Sequence, residues 1–383
     1  MKKRIIITGG GGFVGRNLSI LLSNEGYEVF SIMRGYPSHI NADRSYIIIG
    51  DILNLQFLQD TISQINPQII FHFAAQSLVG LSFTNPIPTL ETNIIGTAHV
   101  LEVVKMAAPR CRIVFSSSSE VYGLQKELIF SHGHDGLYHY YLKEEQTVFP
   151  STSPYSISKV CGEYLIDCYS RSYFIDSVIV RSFNIEGSGR GDSFATSTIC
   201  RQAADLKKNM EKGFHIGNLA VFRDFTHVQD AVRAYYLIAT QGTTGSVYNL
   251  GSKKITSLAS FLLYATEAAG FQVTEIEFGD KRIITHPLNI ETLQDSSKIT
   301  RLDAFLLQEP SMVSPEYGDI IIRTVNGEII IHIDPERFRP AENMIMISNN
   351  QKLSDLGYSP SFSVYDIATE QVLYYVNKNT GYL

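Results

Sequence analysis

Apolar residues arrive along this chain in short runs, separated by stretches with helical spacing. Ile5 to Ile7 is wholly apolar and gives way to Thr8-Gly9-Gly10-Gly11-Gly12-Phe13-Val14-Gly15, after which Val14, Leu18, Leu21 and Leu22 recur every three to four residues. That order predicts a buried strand, a glycine turn and a helix. Further strands are predicted over Glu28 to Met33, Tyr46 to Gly50, Gln68 to Phe73, Arg112 to Phe115 and Val247 to Leu250. A long helical pattern covers about Thr89 to Met106, and Ser153-Pro154 opens another helix, serine suiting the N-cap and proline the first turn. Strands alternating with helices predict an α/β fold, a doubly wound parallel sheet of the Rossmann type with ligands at the carboxyl ends of its strands. The reading puts this sheet in residues 1–182, completed by about 225–251, and a smaller interleaved substrate-binding lobe in 183–224 and 252–383. Within the lobe, Ile320 to Ile331 reads as a hairpin around Asn326-Gly327, an insertion near 318–333. A lid or a subunit contact would use such a hairpin, and so would a plain extension of the lobe.

Composition changes this picture mainly by exclusion. At 383 residues, with 44% hydrophobic and 18% charged positions, the chain is long enough for a large core and shows no disordered segment. A net charge of -6 and no basic run beyond Lys2-Lys3-Arg4 argue against a nucleic-acid surface. The three isoleucines after that triplet are too few for a signal-peptide core, and no apolar run of about 18 residues occurs, so no membrane partner and a cytoplasmic location are expected. The cysteines at 111, 161, 168 and 200 form no C-x-x-C pair and read as buried thiols. His132, His134 and His139 lie in the connection between Gly123 and Tyr155 without metal-ligand spacing. No metal is expected, and that connection reads as a mobile loop over the mouth of a site.

The chemistry sits at the predicted strand ends. Glycines at 9, 12 and 15 let the turn close, let a pyrophosphate approach the backbone and bring the helix against the strand. Thr8, Gly9, Gly12, Phe13, Val14 and Gly15 are therefore candidates for a dinucleotide, whose phosphates the helix start favours. Tight strand-helix packing alone would also use these glycines. Arg34 stands where an NAD-preferring fold usually offers an acid to the ribose, which favours NADP and leaves NAD open; a solvated surface arginine would read the same. Asp51 and Ile52 end the third strand, where Asp51 either meets the adenine or caps the next helix. Ala74 and Ala75 are small enough to admit a cofactor. Ser116 to Ser119 end another strand, followed by Glu120. Tyr155 and Lys159, four apart, share a helix face on which the ammonium can lower the phenol's pKa and orient a ribose while the phenol exchanges a proton with substrate.

Glycine turn, strand-end serines and Y-x-x-x-K in this order resemble the extended short-chain dehydrogenase/reductase family, in its nucleotide-sugar branch. The resemblance is closest to GDP-mannose 4,6-dehydratases and GDP-4-keto-6-deoxymannose reductases and covers nearly the whole chain. Ala75-Gln76-Ser77, Ser117 to Gly123, Arg181-Ser182-Phe183-Asn184, Arg190 to Phe194 and Arg223-Asp224-Phe225 carry it. It implies catalysis by Ser118, Glu120, Tyr155 and Lys159, and substrate contacts from Ser77, Ser119, Asn184, Arg190, Phe194 and Arg223, with Asn184 and Arg223 at the diphosphate or nucleotide. Two departures stand out. Arg34 is followed by glycine where the dehydratases have a second arginine, and Ile185-Glu186 replaces the histidine after Phe-Asn. The expected activity is conversion of a GDP-mannose-like nucleotide hexose to its 4-keto-6-deoxy form through transient C4 oxidation by bound NADP. An NADPH-dependent reductase of a 4-keto-6-deoxy sugar, another epimerase or decarboxylase of the family, and a dinucleotide-sensing interaction protein are the alternatives. Relatives lead one to expect a homodimer or homotetramer.

Overall fold

The computed structural model describes residues 3–36, 45–124, 141–146, 152–209, 212–279, 281–293, 297–339 and 342–378. Most of the 123–155 connection, with its three histidines, lies outside the described residues. Seven strands form the main sheet: β1 (Arg4–Thr8), β2 (Glu28–Met33), β3 (Tyr46–Ile49), β4 (Ile69–His72), β5 (Arg112–Ser118), β6 (Ser177–Ser182) and β7 (Val247–Leu250). All pair in parallel, in the spatial order β3-β2-β1-β4-β5-β6-β7. The strand sequence reverses between β1 and β4, which opens a crevice at their carboxyl ends.

Burial on both faces explains the uninterrupted apolar runs. Ile5 and Ile7 pack with Phe71 and Val114 against helices α1 (Phe13–Asn24) and α5 (Val228–Gln241). Ile6, between them in sequence, points the other way and joins Ile70, Ile113 and Phe115 under α2 (Leu55–Ile65), α3 (Gly96–Ala107) and α4 (Pro154–Tyr173). A strand period of two thus feeds two cores from one run. β5 extends past the predicted Phe115 to Ser118, so its last serines belong to the sheet rather than to a loop. The pattern over Thr89 to Met106 is real but interrupted: a π-helical turn at Glu91–Ile95 separates Pro86–Leu90 from α3.

The remaining described strands include a five-stranded sheet in which the Ile320–Thr324 and Gly327–Ile333 hairpin lies between Val273–Glu277 and Gly213–Ile216. Its turn is Val325-Asn326, with Gly327 already paired to Thr324. Ile320, Ile322, Ile329 and Ile331 are all buried in the core of this region, so the hairpin is structural fabric of the sheet and not an appended lid. A smaller four-stranded sheet sets Phe222–Arg223 between Thr256–Ser257 and Ile345–Ser348, with Tyr141–Leu142 at its edge. The cysteine expectation holds for Cys111 and Cys200, which are buried. It fails for Cys161, half-buried, and Cys168, exposed, because both stand on the outward side of α4. Among the described residues no helix is long and apolar enough to cross a membrane.

Replacing Ile322 by Ala should remove about 2–4 kcal/mol of stability by leaving a cavity in a packed core. Ile321→Ala, on the half-buried opposite face of the same strand, should cost roughly 1 kcal/mol or less. Urea denaturation of the two variants compares them directly, and equal midpoints would contradict a hairpin embedded in the sheet.

Candidate active site

A cleft of about 670 Å³ opens at the carboxyl ends of β1 to β6. Gly9 has φ +72°, and a Cβ there would lie 2.7 Å from the Ala74 backbone nitrogen; one on Gly15 would lie 2.5 Å from the Gly9 carbonyl oxygen. The turn can close only without side chains at these points. α1 begins at Gly12 without a side-chain cap, so its first N–H groups face the cleft with no side-chain acceptor. Every residue that the sequence analysis assigns to cofactor, substrate or catalysis lines this cleft, except Thr8.

Thr8 is fully buried and works from beneath. Its Oγ1 lies 2.7 Å from His72 Nδ1, and His72 Nε2 lies 3.0 Å from Thr97 Oγ1. Thr97 donates its own proton to the Asn93 carbonyl at 2.6 Å, so it accepts from His72 Nε2–H, and Nδ1 accepts from Thr8. Burial pulls the His72 pKa down to about 3, with Lys159 adding to the effect, which fits this neutral tautomer. Asn93, inside the π-helical turn, accepts from Gln76 N at 2.8 Å and donates to Gln76 O at 3.0 Å and to Ser158 Oγ at 2.8 Å. Ser158 in turn donates to the Tyr155 carbonyl at 2.7 Å. Sequence reasoning passed over Asn93, although a buried asparagine in a helical pattern is itself a signal that its amide is engaged.

α4 starts with a capping box between Ser153 and Ser156, which fixes the turn that carries Tyr155. Lys159 is 5% exposed and donates to the Ser116 carbonyl at 2.7 Å, its Nζ 5.9 Å from the Tyr155 ring centroid. Burial pulls its pKa down to about 8, while Glu163 acts in the opposite sense. Tyr155 is pushed up to about 12 by burial, against a hydrogen bond with Ser118 that lowers it; Glu120 and Tyr235 raise it and Arg190 lowers it. Burial therefore outweighs the lowering expected of the phenol. Glu163 is itself held by Arg181 at 2.8 Å and accepts from Ser117 Oγ at 2.5 Å.

Ser118 ends β5, and its Oγ accepts from Glu120 N at 3.2 Å, capping the turn Ser119–Tyr122. That turn aims Glu120 into the cleft, where burial raises its pKa and Arg339 and Arg223 lower it, with Glu342 raising it. Arg339 Nη1 stands 3.8 Å from Glu120 Oε1 and 3.5 Å from Glu342 Oε1. Arg223 is buried, bonded to Glu342 at 2.6 Å and to the Phe222 and Asn343 carbonyls at 2.9 and 2.8 Å, so its guanidinium reaches the cleft as part of a fixed wall. Arg339 is a residue the sequence analysis did not single out for the site. It stands more than two hundred residues from Glu120 in sequence, and only folding joins them.

At the other end, Arg34 is exposed at the rim beside Tyr36. Asp51 lines the cleft, but its Oδ1 accepts from Leu53 N at 2.9 Å, and the cap of α2 is Asn54, which accepts from Phe57 N at 3.0 Å. Glu186, part of the Ile185-Glu186 pair at which this chain departs from the family's histidine, is buried in the strand Asn184–Glu186, accepts from Thr196 Oγ1 at 2.7 Å and lies 3.1 Å from Arg190 Nε.

A family model described as GDP-mannose 4,6 dehydratase matches residues 6–371. A GDP-mannose 4,6-dehydratase of Yersinia enterocolitica is 28% identical over 386 residues, covering 97% of this chain and 93% of its own. A GDP-6-deoxy-D-mannose reductase of Pseudomonas aeruginosa is 28% identical over 268 residues, 68% of this chain and 80% of its own. Among solved structures, RMD from Pseudomonas aeruginosa complexed with NADPH has the same fold, with a TM-score of 0.69 and 21% identity over 98% of this chain and 100% of that one.

The buried lysine has a stability consequence. Between about 8 and the ordinary 10.5, the unfolded chain still holds the Lys159 proton that the folded chain has released, so stability rises with pH across that window. Lys159→Met should melt higher than the parent near pH 7, and its lead should shrink as pH passes 8. A lead that is constant from pH 7 to 10 would show that this ammonium carries no burial penalty.

Proposed function

This chain belongs to the GDP-mannose 4,6-dehydratase family, and from that premise we propose that it converts a GDP-mannose-like nucleotide hexose to the nucleotide 4-keto-6-deoxyhexose. The observation that carries the reading is Glu120, a half-buried carboxyl aimed into the cleft beside Ser118 and Tyr155 and faced by Arg339. A keto-sugar reductase needs the serine, tyrosine and lysine but has no use for a carboxyl at that point.

The glycine turn suits a dinucleotide: Gly9 and Gly15 let it close where a Cβ would strike backbone, and the uncapped start of α1 is fitted to phosphate. Gly9, Gly12, Phe13, Val14 and Gly15 would hold the pyrophosphate, Asp51 and Ile52 the adenosine, Ala74 and Ala75 the side of the cofactor, and Tyr155 and Lys159 the nicotinamide ribose. Arg34 at the rim supports NADP over NAD, since a guanidinium pairs with a 2'-phosphate. Ser77, Ser119, Asn184, Arg190, Phe194 and Arg223 would face the nucleotide sugar. A bound nicotinamide dinucleotide supplies reversible hydride exchange with the sugar, with no net oxidation.

The chain's own groups move the protons. Tyr155 in its phenolate form, favoured by the Lys159 charge, takes the proton of the sugar 4-hydroxyl, Ser118 holds the same oxygen, and Lys159 keeps a positive charge under the ribose. The C4 ketone acidifies C5–H. Glu120 removes that proton and delivers a proton to the C6 hydroxyl, which leaves as water; the C5=C6 bond left behind would be saturated by the returning hydride at C6 and a solvent-derived proton at C5. Its raised pKa suits a group that must act as base and then as acid near neutral pH. The exposed apolar side chains Ile157 and Tyr164 on α4, with Ile87 and Ile95 on the neighbouring helical run, support a homodimer seated on this face.

Two measurements test these readings. In deuterated water with catalytic NADP, proton NMR should show a 4-keto-6-deoxy product carrying deuterium at C5. Glu120→Gln should lower that turnover by roughly 10²-fold or more while leaving cofactor binding intact. Unchanged sugars with the parent, together with NADPH consumption on a 4-keto sugar, would move the activity to reduction. For the assembly, Tyr164→Asp should halve the sedimenting mass of a dimer, and an unaltered mass would remove this face from the contact.

A further inference from the structure

None of the residues of the terminal helix, Val364–Lys378, lines the cleft, yet this helix grips the segment that forms one wall of it. That segment is Gly187–Phe194. Arg190 and Phe194 reach the cleft from it, the guanidinium 3.8 Å over the Phe194 ring and 5.7 Å from the ring centroid of Phe13 in the glycine turn.

The grip is specific at each bond. Gln229 N donates to His227 Nδ1 at 3.2 Å, so Nδ1 carries no proton and Nε2–H donates to Glu370 Oε2 at 2.7 Å. The other oxygen of Glu370 accepts from Ser188 N at 3.0 Å, so one carboxylate ties the start of α5 to the segment. Gln371 donates to the Gly187 carbonyl at 3.2 Å and to Glu186 Oε2 at 3.3 Å, and that same Glu186 oxygen lies 3.1 Å from Arg190 Nε. One turn later Tyr375 donates to Asp192 Oδ1 at 2.7 Å. From the opposite side, Arg16 of α1 donates to the Gly189 carbonyl at 2.5 Å. A short segment bonded from both flanks has little freedom left, and the side chain at its middle inherits that fixity.

We propose that Glu370 and Gln371 are positioning residues of the active site, fixing Gly187–Phe194 so that Arg190 is presented to the bound nucleotide sugar. The proposal rests on the reading of the cleft as a nucleotide-sugar site. Glu370 is the residue to change, because its side chain is 39% exposed and its loss leaves the core intact. Hydrogen-deuterium exchange on the full-length protein reads the clamp itself: in Glu370→Ala, residues 187–194 should exchange faster while the main sheet is unaffected. Kinetics read its consequence. The KM for nucleotide sugar should rise roughly tenfold with kcat changed much less, since a misplaced contact residue weakens binding before chemistry. Glu370→Gln, which keeps one acceptor, should restore part of the affinity. In an Arg190→Ala background Glu370→Ala should add no further rise, because the group it positions is gone. Unchanged exchange over 187–194, or the same rise in KM with and without Arg190, would overturn the proposal. If the parent turns over no nucleotide sugar, the functional reading falls, and the exchange data alone decide whether the helix clamps the segment.

Discussion

The cleft depends on one docking event, the seating of the helix that carries Tyr155 and Lys159 against the end of β5. A buried ammonium is costly unless hydrogen-bonded, and Lys159 meets that condition by donating to the Ser116 carbonyl. The bond requires β5 to reach Ser116 in extended form, and it requires α4 to begin at a fixed point, which the Ser153 capping box provides. Asn93 then joins α4 to the helical run on the same face of the sheet through Ser158 and Gln76. The π-helical turn around Asn93 places a polar side chain where a regular helix would have spaced its apolar stripe. Tyr155 and Lys159 are thus held in part by Asn93, Ser153 and Ser158, none of which lines the cleft.

Around Tyr155 and Lys159 the cleft is a balance of opposite charges that runs from the exposed Arg339 through half-buried carboxylates to the buried Arg223. Glu120, Arg339, Glu342 and Arg223 form an alternating series in which each charge has an opposite neighbour. Such a series lowers the penalty of burial without cancelling it. Glu120 accordingly keeps a raised pKa despite two arginines, because burial is the largest influence on it. Arg190 and Glu186 repeat the arrangement at the opposite wall. The first series ties the Ser119–Tyr122 turn to residues near 340, and the second ties the 187–194 segment to the terminal helix, so parts of the chain distant in sequence are coupled through the cleft.

The chain makes its own order legible where local physics suffices. Ile5 to Ile7 had to be a strand buried on both faces, and the glycines after it had to be a turn, because no other residue tolerates the approach of Gly9 to Ala74. The i, i+4 spacing of Tyr155 and Lys159 needed only helical geometry to be read as one face. Ser153 as a cap, and Ser118 with Glu120 at a strand end, are local in the same sense. The place of Thr8 in a familiar turn said nothing of the histidine on the neighbouring strand that lies against its hydroxyl. Cys168 was misjudged because periodicity gives a face of a helix but not which face meets the core.

By itself, then, the sequence determined the parallel sheet and the glycine turn, and pointed to Ser118, Glu120, Tyr155 and Lys159, which line one cleft. Each follows from periodicity, backbone sterics or a spacing of a few residues. Tertiary structure alone decided that Arg339 faces Glu120, that Glu186 and Gln371 stand behind Arg190, and that the isoleucine hairpin is an inner part of a sheet. Glu186 and Arg190 are only four apart and meet across a turn, but Gln371 stands 185 residues from Glu186 and Arg339 more than two hundred from Glu120. Local propensity has no influence at that range, and the partners are chosen only when burial forces each charge and each open strand edge to find its complement.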